Sequence, residues 1–223
     1  MKKLLFSLAA VCLAAFTSAQ DAPLWLRHCA ISPDGTTIAF TYKGDIYTVP
    51  VDGGRAMQLT TNPAHDTEPV WSPDGKRIAF ASDRMGSMDV YIVSKEPRRL
   101  TTHSGSETPV AFSDAGHILF SADIMPSAET VLFPSNGQFR QVYKVSVEGG
   151  RPVLYSPMPM ECISINKEGT VLYQDKKGYE DYWRKHQVSP IARDIWMYAP
   201  GEKPAYRQLT TFGGEDREPV WAP

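Results

Sequence analysis

Five histidines are where proton-transfer chemistry would be sought: His28, His65, His103, His117 and His186. His65 stands beside Asp66, and Ser104 follows His103, so the residue types of a Ser-His-Asp relay are present. None lies in a motif that would aim it. The chain has no GxSxG elbow, no HExxH, no GxGxxG and no CxxC. Spaced Asp/Asn ligands of the calcium-loop kind are also missing. The reading is therefore no catalytic, cofactor-binding or metal-binding residue, and no cofactor. His65 and His103 read as solvated loop residues, His28 as preceding a first strand, and His117 as a surface strand position.

Carboxylates show more order than the histidines. They gather as Asp66 and Glu68, then Glu107, then Glu215, Asp216 and Glu218. What those corresponding places are depends on the elements that carry them.

The elements repeat. Ile31-Ser32-Pro33-Asp34-Gly35 returns as Trp71-Ser72-Pro73-Asp74-Gly75, 40 residues on, and as Phe112-Ser113-Asp114-Ala115-Gly116, 41 later. Ile165-Asn166-Lys167-Glu168-Gly169 is a weaker copy, and Val220-Trp221-Ala222-Pro223 begins a fifth. After each turn comes an apolar segment such as Ile78-Ala79-Phe80. A second carries an aromatic, as in Asp45-Ile46-Tyr47 and Asp89-Val90-Tyr91, and a third ends on Leu, as in Leu59-Thr60-Thr61. Asp-Gly between apolar runs is a hairpin signal, since glycine takes positive φ without strain. With the segment before the turn, each unit has four short strands. Such units repeated every 40 to 55 residues are the signature of a β-propeller. A β-sandwich with coincidental turns is the rival, and three copies in register argue against it.

Each acidic group precedes an innermost strand, near one mouth of a propeller channel. One reading is an acidic collar for cationic peptide termini. The plainer reading, solvated loop charge, is favoured by the exposure of such loops. Asp83-Arg84 and Glu180-Asp181 beside Arg184-Lys185 read as local ion pairs or turn formers. Insertions at Asp123–Arg140 and Gln174–Arg193 fall where propellers usually bind partners. Trp183 and Val131-Leu132-Phe133 within them are candidates to dock a neighbouring domain.

Met1-Lys2-Lys3, the 13-residue apolar run Leu4–Phe16 and Thr17-Ser18-Ala19 read as a secretory signal peptide cut after Ala19. The expected destination is the periplasm or the exterior, with no membrane span after cleavage. Losing Lys2 and Lys3 takes the net charge from −2 to −4, so a basic nucleic-acid-binding surface is not expected. Cys29 and Cys162 belong to the first and fourth units. Those face each other across a six-bladed ring, beyond the about 7 Å limit for a disulfide. Two free, partly buried thiols explained by core packing are expected.

The Ser-Pro-Asp-Gly turns followed by Ile-Ala-Phe resemble the repeats of TolB-type propellers. A narrower resemblance lies in Lys177-Gly178-Tyr179-Glu180-Asp181-Tyr182-Trp183-Arg184-Lys185-His186 and Arg193-Asp194-Ile195-Trp196. It continues through Leu209-Thr210-Thr211-Phe212 and Gly214-Glu215-Asp216-Arg217-Glu218-Pro219-Val220-Trp221, with Trp25-Leu26-Arg27 and Gly44-Asp45-Ile46-Tyr47 at the start. These are similar to the N-terminal propeller of secreted bacterial tricorn-like serine peptidases. The resemblance implies an all-β, TolB-type propeller, six-bladed in the parent family, here incomplete with about four blades and the start of a fifth. Residues 1–19 would be the signal and 20–223 the partial propeller. Its units would lie at approximately 29–61, 69–102, 109–156 and 162–211, with a fifth starting at 219. The catalytic domain implied by the family is absent from this chain, so the expected role is channelling or filtering peptides in proteolysis and docking later domains. A stand-alone periplasmic TolB-like protein-binding scaffold is the alternative. Two open blade faces would then need the remaining domains of a parent peptidase, or a protein partner, to cover them. A chain stopping inside a strand-turn motif also implies a fragment.

Overall fold

The structure is a computed structural model describing residues 25–122, 124, 140–177 and 191–221. The expected signal peptide and most of both insertions, with Trp183 and His186, lie outside the described residues.

Among the described residues, sixteen short strands form four antiparallel sheets of four. The first sheet holds β1 (Arg27–Ile31), β2 (Thr37–Tyr42), β3 (Asp45–Pro50) and β4 (Met57–Gln58) in chain order. The second holds β5 (Asp66–Trp71), β6 (Ile78–Ser82), β7 (Asp89–Val93) and β8 (Arg98–Arg99). The third holds β9 (Glu107–Asp114), β10 (His117–Ala122), β11 (Gln141–Ser146) and β12 (Val153–Ser156). The fourth holds β13 (Met160–Ile165), β14 (Val171–Asp175), β15 (Ile195–Ala199) and β16 (Ala205–Gln208). The first strands touch in succession, β1 to β5, β5 to β9 and β9 to β13. This is an arc of propeller blades with the first strand of each innermost.

The repeated turn holds itself. Ser32 Oγ donates to Asp34 Oδ1 at 2.5 Å, Asp34 Oδ1 accepts the Thr36 amide at 3.1 Å, and Ser32 Oγ accepts the Thr37 amide at 3.0 Å. Ser72, Asp74, Lys76 and Arg77 repeat the arrangement at 2.6, 3.2 and 3.0 Å. Gly35 and Gly75 follow at φ 71° and 66°, the left-handed region that glycine occupies without strain. The hydrogen bond from Ser32, and then those from Thr36, hold the Asp34 carboxyl below its ordinary range.

The core lies between the sheets. Ile78, Phe80, Tyr91 and Val93 of the second sheet pack on Ala39 and Ile46 of the first. The alternate residues Ala79, Val90 and Ile92 pack instead on Ile118, Phe120, Tyr143 and Val145 of the third. Leu119 and Val142 turn the other way, toward Val171, Tyr173 and Tyr198 of the fourth. Strands alternate side chains between faces, so a blade covered on both sides has continuously buried strands, as β6 and β7 are. Each large side chain fully buried this way stabilises the stack by about 1.5–3 kcal/mol.

All four innermost strands depart from regular pairing: β9 at Ser113 and Val110, and the other three between Arg27 and Ala30, Thr67 and Val70, and Glu161 and Ser164. Within them His28, Glu68 and Cys162 take φ of 51°, 54° and 50°, and Glu218 repeats this at 55° in the fifth unit. A bulge bends the strand and re-aims its side chains at the centre of the ring.

Candidate functional site

The ordered carboxylates of the sequence divide among three places. Asp66 and Glu107 begin β5 and β9 and are fully buried. The reading of these two as solvated loop charge is corrected: the start of each innermost strand is packed against the preceding blade. The Asp66 amide donates to the Gly44 carbonyl at 2.7 Å, and the Glu107 amide to the Met88 carbonyl at 2.7 Å. Asp216, half-buried, does the same to the Arg193 carbonyl at 2.9 Å. Each acceptor is the residue before the Asp that opens the preceding unit's third strand or its approach: Asp45, Asp89 or Asp194. The repeat thus pins the second unit to the first, the third to the second and the fifth to the fourth.

A threonine completes the junction. Thr60, Thr101 and Thr210 each accept, on Oγ1, the backbone amide of Ile46, Val90 and Ile195, all at 2.9 Å. The residue two places before the threonine reaches the Asp. Gln58 and Gln208 donate to Asp45 and Asp194 at 2.9 Å, and Arg99 pairs with Asp89 at 2.9 Å. Leu-Thr-Thr and Asp-Ile-Tyr had marked strands in the sequence; their polar members are the junction. The junction from third to fourth unit is apolar instead, with Gln141 opening the third strand and Met160 buried where the others have an acid.

Glu215 is half-buried and takes Arg217 Nε at 2.9 Å and Arg193 at 3.5 Å. Arg193 also reaches Glu161 at 3.2 Å. Asp83 and Arg84 do not pair with each other. Asp83 accepts the His65 amide at 2.7 Å, and Arg84 crosses to Asp66 at 2.6 Å. Lys177 bridges Asp175 and Asp194 in the fourth unit. Partial burial would lower its pKa, but its hydrogen bond to Asp194 and the charge of Asp175 outweigh this and hold it raised.

Glu68 and Glu218 form the third place, the left-handed bulge positions. Glu218 is exposed and borders a cavity of about 580 Å³ among the innermost strands. Cys29, Trp71, Val110, Cys162 and Val220 also line it. Cys29 and Cys162 are free, as expected, but both are exposed. The expectation of partly buried core thiols is corrected, because the bulges turn this part of the strand to the channel and not to a blade face. The protein around Cys162, and next the charges of Glu218 and Glu161, push its thiol above the ordinary value. That environment disfavours the thiolate a nucleophile needs.

The histidines assemble nothing catalytic among the described residues. His65 and His103 are exposed, and His103 Nδ1 accepts the Gly105 amide at 3.0 Å. His117 lies 3.0 Å from Asp114 at the surface, where it caps a turn. Among the described residues no group of His, Cys, Asp and Glu is placed to hold a metal ion, and no helix is long and apolar enough to cross a membrane.

Radially stacked four-stranded sheets with bulged inner strands around a channel define this protein as an incomplete β-propeller. Residues 23–223 match the family of the tricorn protease N-terminal beta propeller domain, and the chain belongs to that family. It is 37% identical over 202 residues to tricorn protease homolog 1 of Streptomyces coelicolor, covering 90% of this chain and 18% of that protein. The crystal structure of the tricorn protease superposes on 91% of this chain and 20% of its own, with a TM-score of 0.69 at 19% identity. TolB from Acinetobacter baumannii gives a TM-score of 0.63 at 23% identity over 88% of this chain and 46% of its own. The chain therefore spans less than a fifth of the length of its tricorn-like relative.

Proposed function

We propose that this chain is the non-catalytic propeller portion of an exported tricorn-like serine peptidase, filtering or channelling peptides and docking the domains that follow. The observation that carries this reading is the channel wall. Trp71 and Val110 offer apolar contact to an extended chain, and Glu218 offers a carboxylate to a cationic terminus. Glu68 occupies the corresponding bulge in the second unit. The acidic collar is thus proposed for Glu68 and Glu218, with Glu215 and Asp216 nearby in sequence. Asp66 and Glu107 serve the blade junctions. Relatives that are peptidases support the setting, and the periplasm or exterior is the compartment proposed for it.

The test is titration of the chain with short fluorescent peptides, basic against acidic at matched length, at low and high salt. Preferential salt-sensitive binding of the basic set, lost in Glu218→Gln, is expected. Peptide turnover by the chain itself, or equal binding of both sets, would overturn the reading. Retention of a folded periplasmic protein with no peptide binding would favour the TolB-like scaffold instead.

A further inference from the structure

Two carboxyls meet inside the junction between the second and third units. Asp89 opens β7 and Glu107 opens β9, and both are fully buried. The main chain holds them together, since the Glu107 amide is bonded to the carbonyl of Met88. Their side chains lie close enough for the charge of Asp89 to bear on the Glu107 carboxyl. With both ionised, however, Asp89 Oδ1 and Glu107 Oε1 are buried and find no hydrogen-bond partner. Two carboxylates offer only acceptors, whereas one proton between them makes a donor and satisfies both.

The Thr101 hydroxyl hydrogen-bonds the Glu107 carboxyl, but neighbouring groups leave Asp89 Oδ1 and Glu107 Oε1 without a donor. Arg99 from β8 lies 2.9 Å from the other Asp89 oxygen. Arg84 is committed to Asp66 at 2.6 Å. The His103 amide reaches Glu107 Oε2 only at 3.4 Å, and the His103 ring accepts the Gly105 amide. On the side of the third unit, Arg140 donates to the carbonyls of Ser106 and Ser121. Tyr91, whose own ionisation burial disfavours, completes the titratable groups around the site.

We infer that Asp89 and Glu107 share one proton, and that this proton latches the third unit onto the second. Burial pushes the Glu107 carboxyl up to about 7; the Thr101 and His103 hydrogen bonds oppose the rise and the Asp89 charge adds to it. In the unfolded chain the group returns to its ordinary value near 4.5, so the folded state binds the proton more tightly. The latch is complete below the unfolded value. Its contribution falls as pH rises toward the folded value and is gone above it. The junction between third and fourth units, with Met160 in the corresponding place, has no such dependence.

Infrared difference spectra of the whole chain test this. A protonated carboxylic acid band is expected to persist at about pH 6 and to vanish by about pH 8, where a free carboxyl would have ionised far earlier. Hydrogen exchange at the Glu107 amide should accelerate across the same interval beyond its intrinsic pH dependence. Glu107→Gln should abolish both signals, since an amide supplies the missing donor at every pH, and Asp89→Asn should move both to lower pH, since burial of Glu107 remains. Absence of the band in the unmodified chain at about pH 6, or amide protection unchanged across the interval, overturns the inference. The spectra of the unmodified chain decide even if either variant fails to fold.

Discussion

The indole Nε1 of Trp71 donates to the backbone carbonyl of Ala30 at 3.1 Å, joining the innermost strands of the first two units beside the channel cavity. It adds a side-chain bond to the apolar contact and the Asp66–Gly44 backbone bond that also join these two blades. Trp71→Phe keeps most of the ring and removes the donor. A loss of about 0.5–1.5 kcal/mol is expected in chemical denaturation, the worth of a typical net hydrogen bond. Unchanged stability would show that the bond contributes nothing.

Thr101 is almost fully buried and its Oγ1 accepts the Val90 amide at 2.9 Å. Thr101→Val preserves shape and strands that amide. The expected penalty is about 1–3 kcal/mol, the desolvation of an orphaned buried donor. Equilibrium unfolding measures it, and amide exchange at Val90 should quicken in parallel.

Arg84 is the counter-ion of fully buried Asp66. Arg84→Met leaves an uncompensated charge and should destabilise by about 3–5 kcal/mol. Pairing it with Asp66→Asn should recover most of that loss. A double-mutant cycle with no coupling would mean the pair is not closed in solution.

Glu218 stands second among the causes that raise the Cys162 thiol, after the protein that surrounds it. Glu218→Gln removes a negative charge beside the thiolate. The thiol pKa should fall, and alkylation of Cys162 at about pH 8 should speed up severalfold, following the thiolate fraction. Cys29 in the same variant is the internal reference. An unaltered rate would place Glu218 too far from the sulfur to matter.

The four-strand period was legible because its signals are local. Ser-Pro-Asp-Gly closes a turn with its own side chains, and Ile-Ala-Phe alternates with the pleat. The small residues Ala39 and Ala79 lie where neighbouring blades meet, and both are fully buried there. The acids were legible as a recurring pattern but not as parts. Asp66 and Glu68 are two residues apart, yet one is sealed in a blade junction and the other sits on a left-handed bulge. A hydropathy pattern has no term for a one-residue bulge, which re-aims every side chain near it.

The cysteines show the same limit from the other side. Cys29 and Cys162 are apolar enough to suit a core, and only the bulges of β1 and β13 place them on the channel. The sequence by itself determined the all-β class, the repeat and the family, because turn chemistry and strand alternation act within a few residues. Only the tertiary structure decided which carboxylates are buried, which arginine answers which acid, and which thiols meet solvent. Those depend on contacts between residues about twenty to fifty positions apart, and they exist only once the blades are stacked.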